Sequence, residues 1–320
     1  MQQVWAPGRV NLIGEHIDYL GFPVLPMALR QRVVVTFEAR RDGLIRAISE
    51  PYGAREFEWR DGLQPVAAGD WENYLRAAAM AVSGKWGAGR GIDATVTSDL
   101  PAAAGLSSSS ALIVAFTLAL LRANGWSAGF DELMEILPEG EHFVGTRGGG
   151  MDHAAVLASR AGFASLVSFG PVAVRHVPIP GDWAFLVADS DVRAEKSGAA
   201  RERYNAVRSS PGAAAHTAGE TARVRDAVAA MEACDAAAFG RLMLESHASL
   251  RDGLGVSHPE LDRIVECATA AGAFGARLTG AGFGGSVVTL CRRKHAGAVR
   301  RALGRWSVFE AEPGNGALTI

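Results

Sequence analysis

The chain has 320 residues, 48% hydrophobic and 21% charged, with 32 Lys and Arg against 34 Asp and Glu for a formal net charge of −2. This length holds two domains or one large one with a full core, and the composition is that of an ordinary globular enzyme. The charge balance offers no basic footprint for nucleic acid or for an acidic membrane surface.

The three cysteines, Cys234, Cys267 and Cys291, lack metal-ligand or CxxC spacing and fit a reducing compartment. Cys267 and Cys291 read as small buried hydrophobes. The N-terminus, Met1 to Pro7, shows no charged leader and no long apolar run, so a cytoplasmic location is expected. The longest apolar run, Ala111 to Leu121, is too short to span a bilayer.

In chain order, Val4 to Ile13 reads as a strand interrupted at Pro7-Gly8. Gly14-Glu15-His16-Ile17-Asp18-Tyr19 follows, a polar cluster between apolar runs that suggests either the mouth of a site or a turn with an Asp cap. Val24-Leu25-Pro26 continues into a strand at Gln31 to Ala39; further strands are predicted at Leu44 to Ser49 and Glu56 to Arg60, a helix from Trp71 to about Val82, and a strand at Ile92 to Ser98. Next comes Pro101-Ala-Ala-Ala-Gly105-Leu106-Ser107-Ser108-Ser109-Ser110-Ala111-Leu112, which opens the apolar helix. A small-residue loop at a helix start lets backbone N–H groups approach an anion, and serine hydroxyls can bind phosphate or a hard cation. The bland alternative is an ordinary serine N-cap. The loop is neither Gly-x-x-x-x-Gly-Lys-Ser/Thr nor Gly-x-Gly-x-x-Gly.

A helix from about Asp131 carries Glu141 and runs toward Gly148-Gly149-Gly150-Met151-Asp152-His153, whose glycines suggest either a backbone packed against a ligand or a flexible helix-to-helix turn. A hairpin is predicted at Phe163 to Phe169 and Val172 to Val177, and a short strand at Ala184 to Ala188. Four helices follow at Arg193 to Val207, Glu220 to Cys234, Ala236 to Ser246 and Pro259 to Ala271. Ser209 to Gly212 is the most linker-like segment. Ala276 to Leu290 reads as strand–loop–strand around Gly280, Gly282, Gly284 and Gly285, ahead of a helix at His295 to Leu303 and a last strand. Strands and helices cluster rather than alternate, so the fold class is α+β with mostly antiparallel pairing, divided near Pro180 into residues 1–180 and 181–320.

Three of these stretches together resemble a known family. Ala6 to Tyr19 resembles the galactokinase signature. Pro101 to Leu112 resembles the phosphate loop of the GHMP kinases, and Leu278 to Gly285 resembles their glycine-rich third motif. Trp71-Glu-Asn-Tyr74, Ser246 to Asp252 and Pro259 to Asp262 match supporting segments. The resemblance implies an N-terminal domain like domain 2 of ribosomal protein S5, a ferredoxin-like C-terminal domain, and an active site between them.

It further implies ATP-dependent phosphorylation of the anomeric hydroxyl of an aldose, with galactose expected ahead of N-acetylgalactosamine or another sugar. Arg9 and Asp152 match the catalytic pair. Glu15, His16, Asp18, Gly149, Asp152 and Tyr204 match the sugar site. Trp71 and Gly105, Leu106, Ser107, Ser108, Ser109 and Ser110 match the ATP site, and Ser109 with Glu141 matches the Mg²⁺ ligands. Gly280, Gly282, Gly284 and Gly285 form the third motif. A carboxylate such as Asp152 can orient the hydroxyl and accept its proton, and Arg9 can stabilise developing negative charge. The expected partners are a small sugar and ATP, without nucleic acid or membrane, in a monomer or weak homodimer.

The sequence departs from the family in carrying His153 where Gln is usual after the aspartate, and Ser209-Ser-Pro-Gly212 where Arg-x-x-Glu-Cys is common. Neither His142 nor His153 has zinc-ligand spacing, and both are expected to support the site or lie on the surface. Two other readings are a non-catalytic sugar and ATP sensor, which would be expected to lose part of the loop or the catalytic pair, and a mevalonate- or homoserine-type kinase, which would not need Glu15, His16 and Asp18.

Overall fold

The computed structural model describes residues 1–101, 105–145, 148–192 and 198–318. The first antiparallel pair joins β1 (Gln2–Asn11) to β2 (Pro26–Ala39). Its register shifts between Pro7 and Arg9, where Pro7 has no N–H to give the ladder. The shift lets the Arg9 N–H leave the sheet and donate to the Leu106 carbonyl at 3.0 Å. β2 joins the expected Gln31 to Ala39 to the preceding Val24-Leu25-Pro26 run from Pro26 onward: Pro26 to Leu29 are buried, and Pro26, Met27 and Ala28 pair with β1.

β3 (Leu44–Ser49), β4 (Gly53–Glu58), α1 (Glu72–Trp86) and β5 (Ile92–Ser98) follow. The sheet order is β1-β2-β5-β3-β4, antiparallel except for the β3–β5 pair. α2 (Ser108–Ala123) packs on β1 and β2, with α1 and α3 (Phe130–Phe143) layered against it. α4 (Met151–Ala158) is a helix for which the sequence reading supplies no range beyond the helix-to-helix turn before it; Gly150, at φ +94, turns the chain into it. β6 (Phe163–Ser168) and β7 (Ala173–Pro178) form a hairpin, bridged to Val24 through Val167.

The second sheet contains β8 (Trp183–Asp189), reached before α5 (Gly198–Val207), α6 (Ala213–Glu232), α7 (Ala236–Ala248) and α8 (Pro259–Ala270). It then takes β9 (Gly275–Thr279), β10 (Ser286–Arg292) and, after α9 (Ala296–Ala302), β11 (Ser307–Glu310). The helix expected from Arg193 is described from Gly198; residues 193–197 lie outside the described residues. The sheet is antiparallel in the order β11-β8-β10-β9. Helices connect its first strand to its second and its third to its fourth, which is the ferredoxin-like connectivity.

The five-stranded sheet and the β6–β7 hairpin precede Pro180 and the four-stranded sheet follows it, but the hydrophobic core does not divide there. Trp183, Phe185, Val187, Val288 and Leu290 on one face of the second sheet join the core of the first through Phe239 and Met243 of α7. The opposite face, with Ala184, Leu186, Ala276 and Leu278, packs on Leu261 and Ile264 of α8 and Val299 of α9. The last described residues also cross back. Arg30 donates to Glu312 O, Gly314 to Ala28 O, and Ala317 and Leu318 to the carbonyls of Val156 and Leu157 at the end of α4.

All three cysteines are free: Cys234 is exposed, Cys267 half-buried rather than buried, and Cys291 buried. Burial pushes the Cys291 thiol up to about 11. Among the described residues no helix is long and apolar enough to cross a membrane.

α7 lies on β9 backbone to backbone. A Cβ at Gly240 would sit 2.3 Å from the Phe274 carbonyl, where no flexible side chain can yield. Gly240→Ala, although it adds a better helix former, is expected to destabilise the protein by about 1–3 kcal/mol through overpacking. Urea denaturation reads this directly, and an unchanged midpoint would contradict the packing described.

Candidate active site

Three stretches distant in sequence meet between the two sheets. Arg9 is buried just past the β1 bulge. Its Nε donates to Asp152 Oδ1 at 2.7 Å and its Nη1 to the Gly105 carbonyl at 2.6 Å. Asp152, in the first turn of α4, also accepts the Ser107 hydroxyl at Oδ2. Gly105 (φ +74) and Gly280 (φ +87) sit back to back. A Cβ on Gly105 would lie 3.0 Å from the Thr279 carbonyl, and one on Gly280 would lie 3.1 Å from the Gly105 carbonyl. Left-handed backbone and close approach together call for glycine at both positions. Residues 102–104 of the loop lie outside the described residues.

Ser107 also has left-handed backbone (φ +56) and precedes α2. Its hydroxyl turns to Asp152 and does not cap the helix, so the plain N-cap reading fails. The head of α2 thus keeps its first-turn N–H groups free of a side-chain cap, the arrangement that suits an anion. Ser110 Oγ donates to Glu141 Oε1 at 2.6 Å, and no such bond joins Ser109 to Glu141 among the described residues. Successive helical residues point about 100° apart, so Ser109 and Ser110 face different directions, and it is Ser110 that hydrogen-bonds Glu141. A carboxylate with neighbouring serine hydroxyls is a sparse set of hard oxygen donors that suits Mg²⁺ completed by phosphate and water. Among the described residues no cluster of three His, Cys, Asp or Glu side chains could hold a metal by itself.

The rest of the pocket comes from the Gly14–Tyr19 segment, the triple glycine, α5 and the third motif. Glu15, His16, Asp18, Gly149, Tyr204 and Gly280 all line it, with Arg9, Glu141 and Asp152. Asp18 Oδ2 accepts the Gly149 N–H at 3.1 Å. Tyr204 packs 5.6 Å from the His16 ring and 6.4 Å from that of Tyr19. His16 Nε2 lies 3.1 Å from the Ala281 carbonyl, and its Nδ1 lies 3.2 Å from the Tyr19 hydroxyl. A carbonyl only accepts, so Nε2 carries the proton and Nδ1 accepts from Tyr19. With both nitrogens engaged, His16 braces the wall of the pocket that it lines.

Several other expected site residues stand back from the pocket. Trp71 is buried at the start of α1, its ring 6.3 Å from Tyr52. The Leu106 side chain is in the core. Gly282 approaches Val256, Gly284 approaches Val192, and Gly285 donates to the Val192 carbonyl, all within the C-terminal half. His142 is exposed. His153 is fully buried, with Nε2 4.0 Å from Glu141 Oε1 and no hydrogen bond to either nitrogen among the described residues.

The sequence reading missed the charge cluster behind Glu15. Arg277 of β9, wholly buried, pairs with Glu15 Oε2 and reaches toward Glu220 Oε1 at 3.8 Å. Glu220 of α6 also accepts from Gly14 N, Ser246 Oγ and Arg223 Nε at 2.9, 2.6 and 2.8 Å. The available signal was an arginine inside an otherwise apolar strand, since a buried charge needs a partner. Burial lifts the Glu15 pKa even with Arg277 beside it, whereas at Glu220 the Arg277 and Arg223 charges outweigh burial and hold the pKa down. Burial opposes the Arg9 charge, and Asp152, Glu15 and Glu141 more than compensate, so its pKa is raised. Burial, then the Asp152 charge, lifts Asp18 to about 6. Burial drops His16 to about 4 and leaves it neutral at physiological pH.

The galactokinase galactose-binding signature matches residues 3–39, the GHMP kinases N terminal domain residues 73–160, and GHMP kinases C terminal residues 227–307. Galactokinase of Chloroflexus aurantiacus is 36% identical over 93% of this chain and 86% of its own. Galactokinase of Homo sapiens is 36% identical over 90% and 83%. The crystal structure of Lactococcus lactis galactokinase complexed with galactose superimposes with a TM-score of 0.90 at 25% identity, covering 98% of this chain and 94% of that one.

A Cβ at Gly149 would lie 2.3 Å from both the Asp18 carbonyl carbon and the Tyr19 nitrogen. Gly149→Ala must therefore part the triple glycine from the Asp18 turn. A loss of about 1–3 kcal/mol is expected, read as a lower urea midpoint; wild-type stability would show that the two backbones are not in contact.

Proposed function

The chain belongs to the galactokinase family of the GHMP kinases, and from that premise we propose that it transfers the γ-phosphoryl group of ATP to the anomeric hydroxyl of galactose, giving galactose 1-phosphate and ADP. The observation that carries the reading is the Arg9–Asp152 pair, held at 2.7 Å between the serine-rich helix head and the pocket lined by Glu15 and Asp18. The retained pair, loop and Glu141 favour an enzyme over a sensor.

In this reading the sugar lies between Asp18, Glu15, Gly149 and Tyr204 with its anomeric hydroxyl toward Asp152. The hydroxyl oxygen forms the new bond to the γ-phosphorus as the bond to the ADP oxygen breaks, and the proton passes to Asp152. A loose phosphoryl transition state asks for little early deprotonation, so Asp152 serves first to orient the hydroxyl and then as acceptor. Ser107 and Arg9 fix its two oxygens. Arg9, anchored by the Gly105 carbonyl, is aimed where negative charge develops. The phosphates rest on the N–H groups of residues 105–110, with Trp71 and Tyr52 on the side of the base. Glu141 with Ser109 or Ser110 would hold Mg²⁺, which when bound neutralises phosphate charge. Free cysteines fit the cytoplasm, and a monomer or weak homodimer remains the working assembly.

The direct test is ATP-dependent ADP release with galactose, N-acetylgalactosamine, glucose, arabinose, mevalonate and homoserine. Galactose is expected to be turned over best. Asp152→Asn retains an acceptor for Arg9 and is expected to lower kcat by about 10²–10⁴ with folding preserved. Turnover confined to another sugar would keep the mechanism and replace the substrate, and galactose binding without ADP release would favour the sensor.

Asp18 supplies the pH dependence. Its carboxylate must be ionised to accept from sugar hydroxyls through both oxygens, and its pKa of about 6 reflects burial and the neighbouring Asp152 and Glu141 charges. Protonation below that value removes the acceptor, so kcat/KM for galactose is expected to fall as pH drops through about 6. The stability effect has the opposite sign. A carboxyl whose pKa is raised on folding favours the native state at low pH, and that contribution is lost as pH rises from the unfolded value through about 6. Asp18→Asn should weaken galactose binding and erase this limb of the profile; a limb that survives belongs to another group.

A further inference from the structure

We propose that Arg277 is a positioning residue of the sugar site, orienting Glu15 from behind so that its carboxylate keeps one acceptor direction open for a single hydroxyl of the substrate. The inference rests on Glu15 being a sugar contact.

Glu15 lines the pocket, yet most of its carboxylate is spoken for. Oε1 accepts the Gly280 N–H at 2.8 Å. Oε2 accepts Asn11 Nδ2 at 2.7 Å and the Arg277 Nη1. An ionised carboxylate offers about four lone-pair directions, so three donors leave one. The donors arrive from β1, β9 and the third motif, and together they dictate which direction stays open.

Arg277 cannot be exchanged for a point charge in this role. Its Nε donates to Ser246 Oγ at 3.2 Å, its Nη1 also reaches the Asn11 carbonyl at 3.3 Å, and its Nη2 faces Glu220 at 3.8 Å. These contacts diverge along a planar fork, which a lysine ammonium does not reproduce. Glu220, fixed by Gly14 N, Ser246 and Arg223, keeps the guanidinium from swinging wholly onto Glu15. Arg277 touches no substrate in this arrangement and acts only through Glu15.

The test uses the whole protein with Arg277→Lys, Glu15→Gln and the double variant. Galactose affinity is measured calorimetrically without ATP, and steady-state constants are measured for both substrates. Arg277→Lys is expected to raise KM for galactose by roughly tenfold to a hundredfold, the usual scale for losing a group that supports a binding ligand, with KM for ATP within about threefold. In the Glu15→Gln background the same change should add little, because an effect routed through Glu15 is non-additive. Additive losses, or equal weakening of galactose and ATP, would overturn the proposal and leave Arg277 a purely structural residue.

Wild-type galactose affinity in Glu15→Gln would refute the sugar contact itself. Loss in Glu15→Gln with none in Arg277→Lys would refute the positioning role alone. Should Arg277→Lys fail to fold, a series of singly deoxygenated galactoses decides. If the Glu15→Gln penalty vanishes for one deoxygenated position only, the single open direction stands; if it is spread over two or more positions, the proposal falls.

Discussion

The constraint on which this structure depends is the burial of carboxylates in the cleft. Glu15, Asp18, Glu141, Asp152 and Glu220 are all shielded from water, and among the described residues Arg9, Arg277 and the half-shielded Arg223 answer them with fixed positive charge. Buried ions persist only when paired and hydrogen-bonded. Each carboxylate therefore binds backbone N–H groups, serine hydroxyls or an arginine drawn from a different part of the chain. The pairing ties β1, α4, α6 and β9 to one another. Burial, and then the Asp152 charge, pushes Asp18 up to about 6, and Glu141 accepts the Ser110 hydroxyl.

The second constraint is steric. The phosphate loop and the third motif touch backbone to backbone at Gly105 and Gly280, and the triple glycine touches the Asp18 turn at Gly149. These contacts bring Arg9, Asp152 and Glu15 into one pocket. The remaining glycines of the third motif let its loop lie against Val192 and Val256. Similar glycines in one short stretch thus do different jobs, one at the pocket and the others in loop packing.

Much of the fold was legible because the local pattern and the tertiary demand agree. β3 and β5 occur as expected because alternating side chains meet a half-buried sheet. The helix after the serines is apolar on nearly every side because it lies buried. α4 was not legible: eight residues behind three glycines give too short a period to distinguish a helix from a turn. The run from Val24-Leu25-Pro26 into β2 was legible, and Pro26 sits at the first residue of the strand, where its missing N–H is tolerated.

Within the site, the sequence by itself determined the chemistry available: an arginine, an ordered set of carboxylates, a serine-rich helix head and glycines at the close approaches. Those follow from residue type and order alone. Only the tertiary structure decided which atoms face the pocket. Ser110 and not Ser109 reaches Glu141, Ser107 turns to Asp152 instead of capping α2, and both nitrogens of His16 are taken up by Tyr19 and Ala281. Arg277, unremarked in the sequence, stands behind Glu15. The direction in which a hydroxyl or carboxylate points is set by backbone angle and by partners arriving from distant parts of the chain, and neither is written in the residues that flank it.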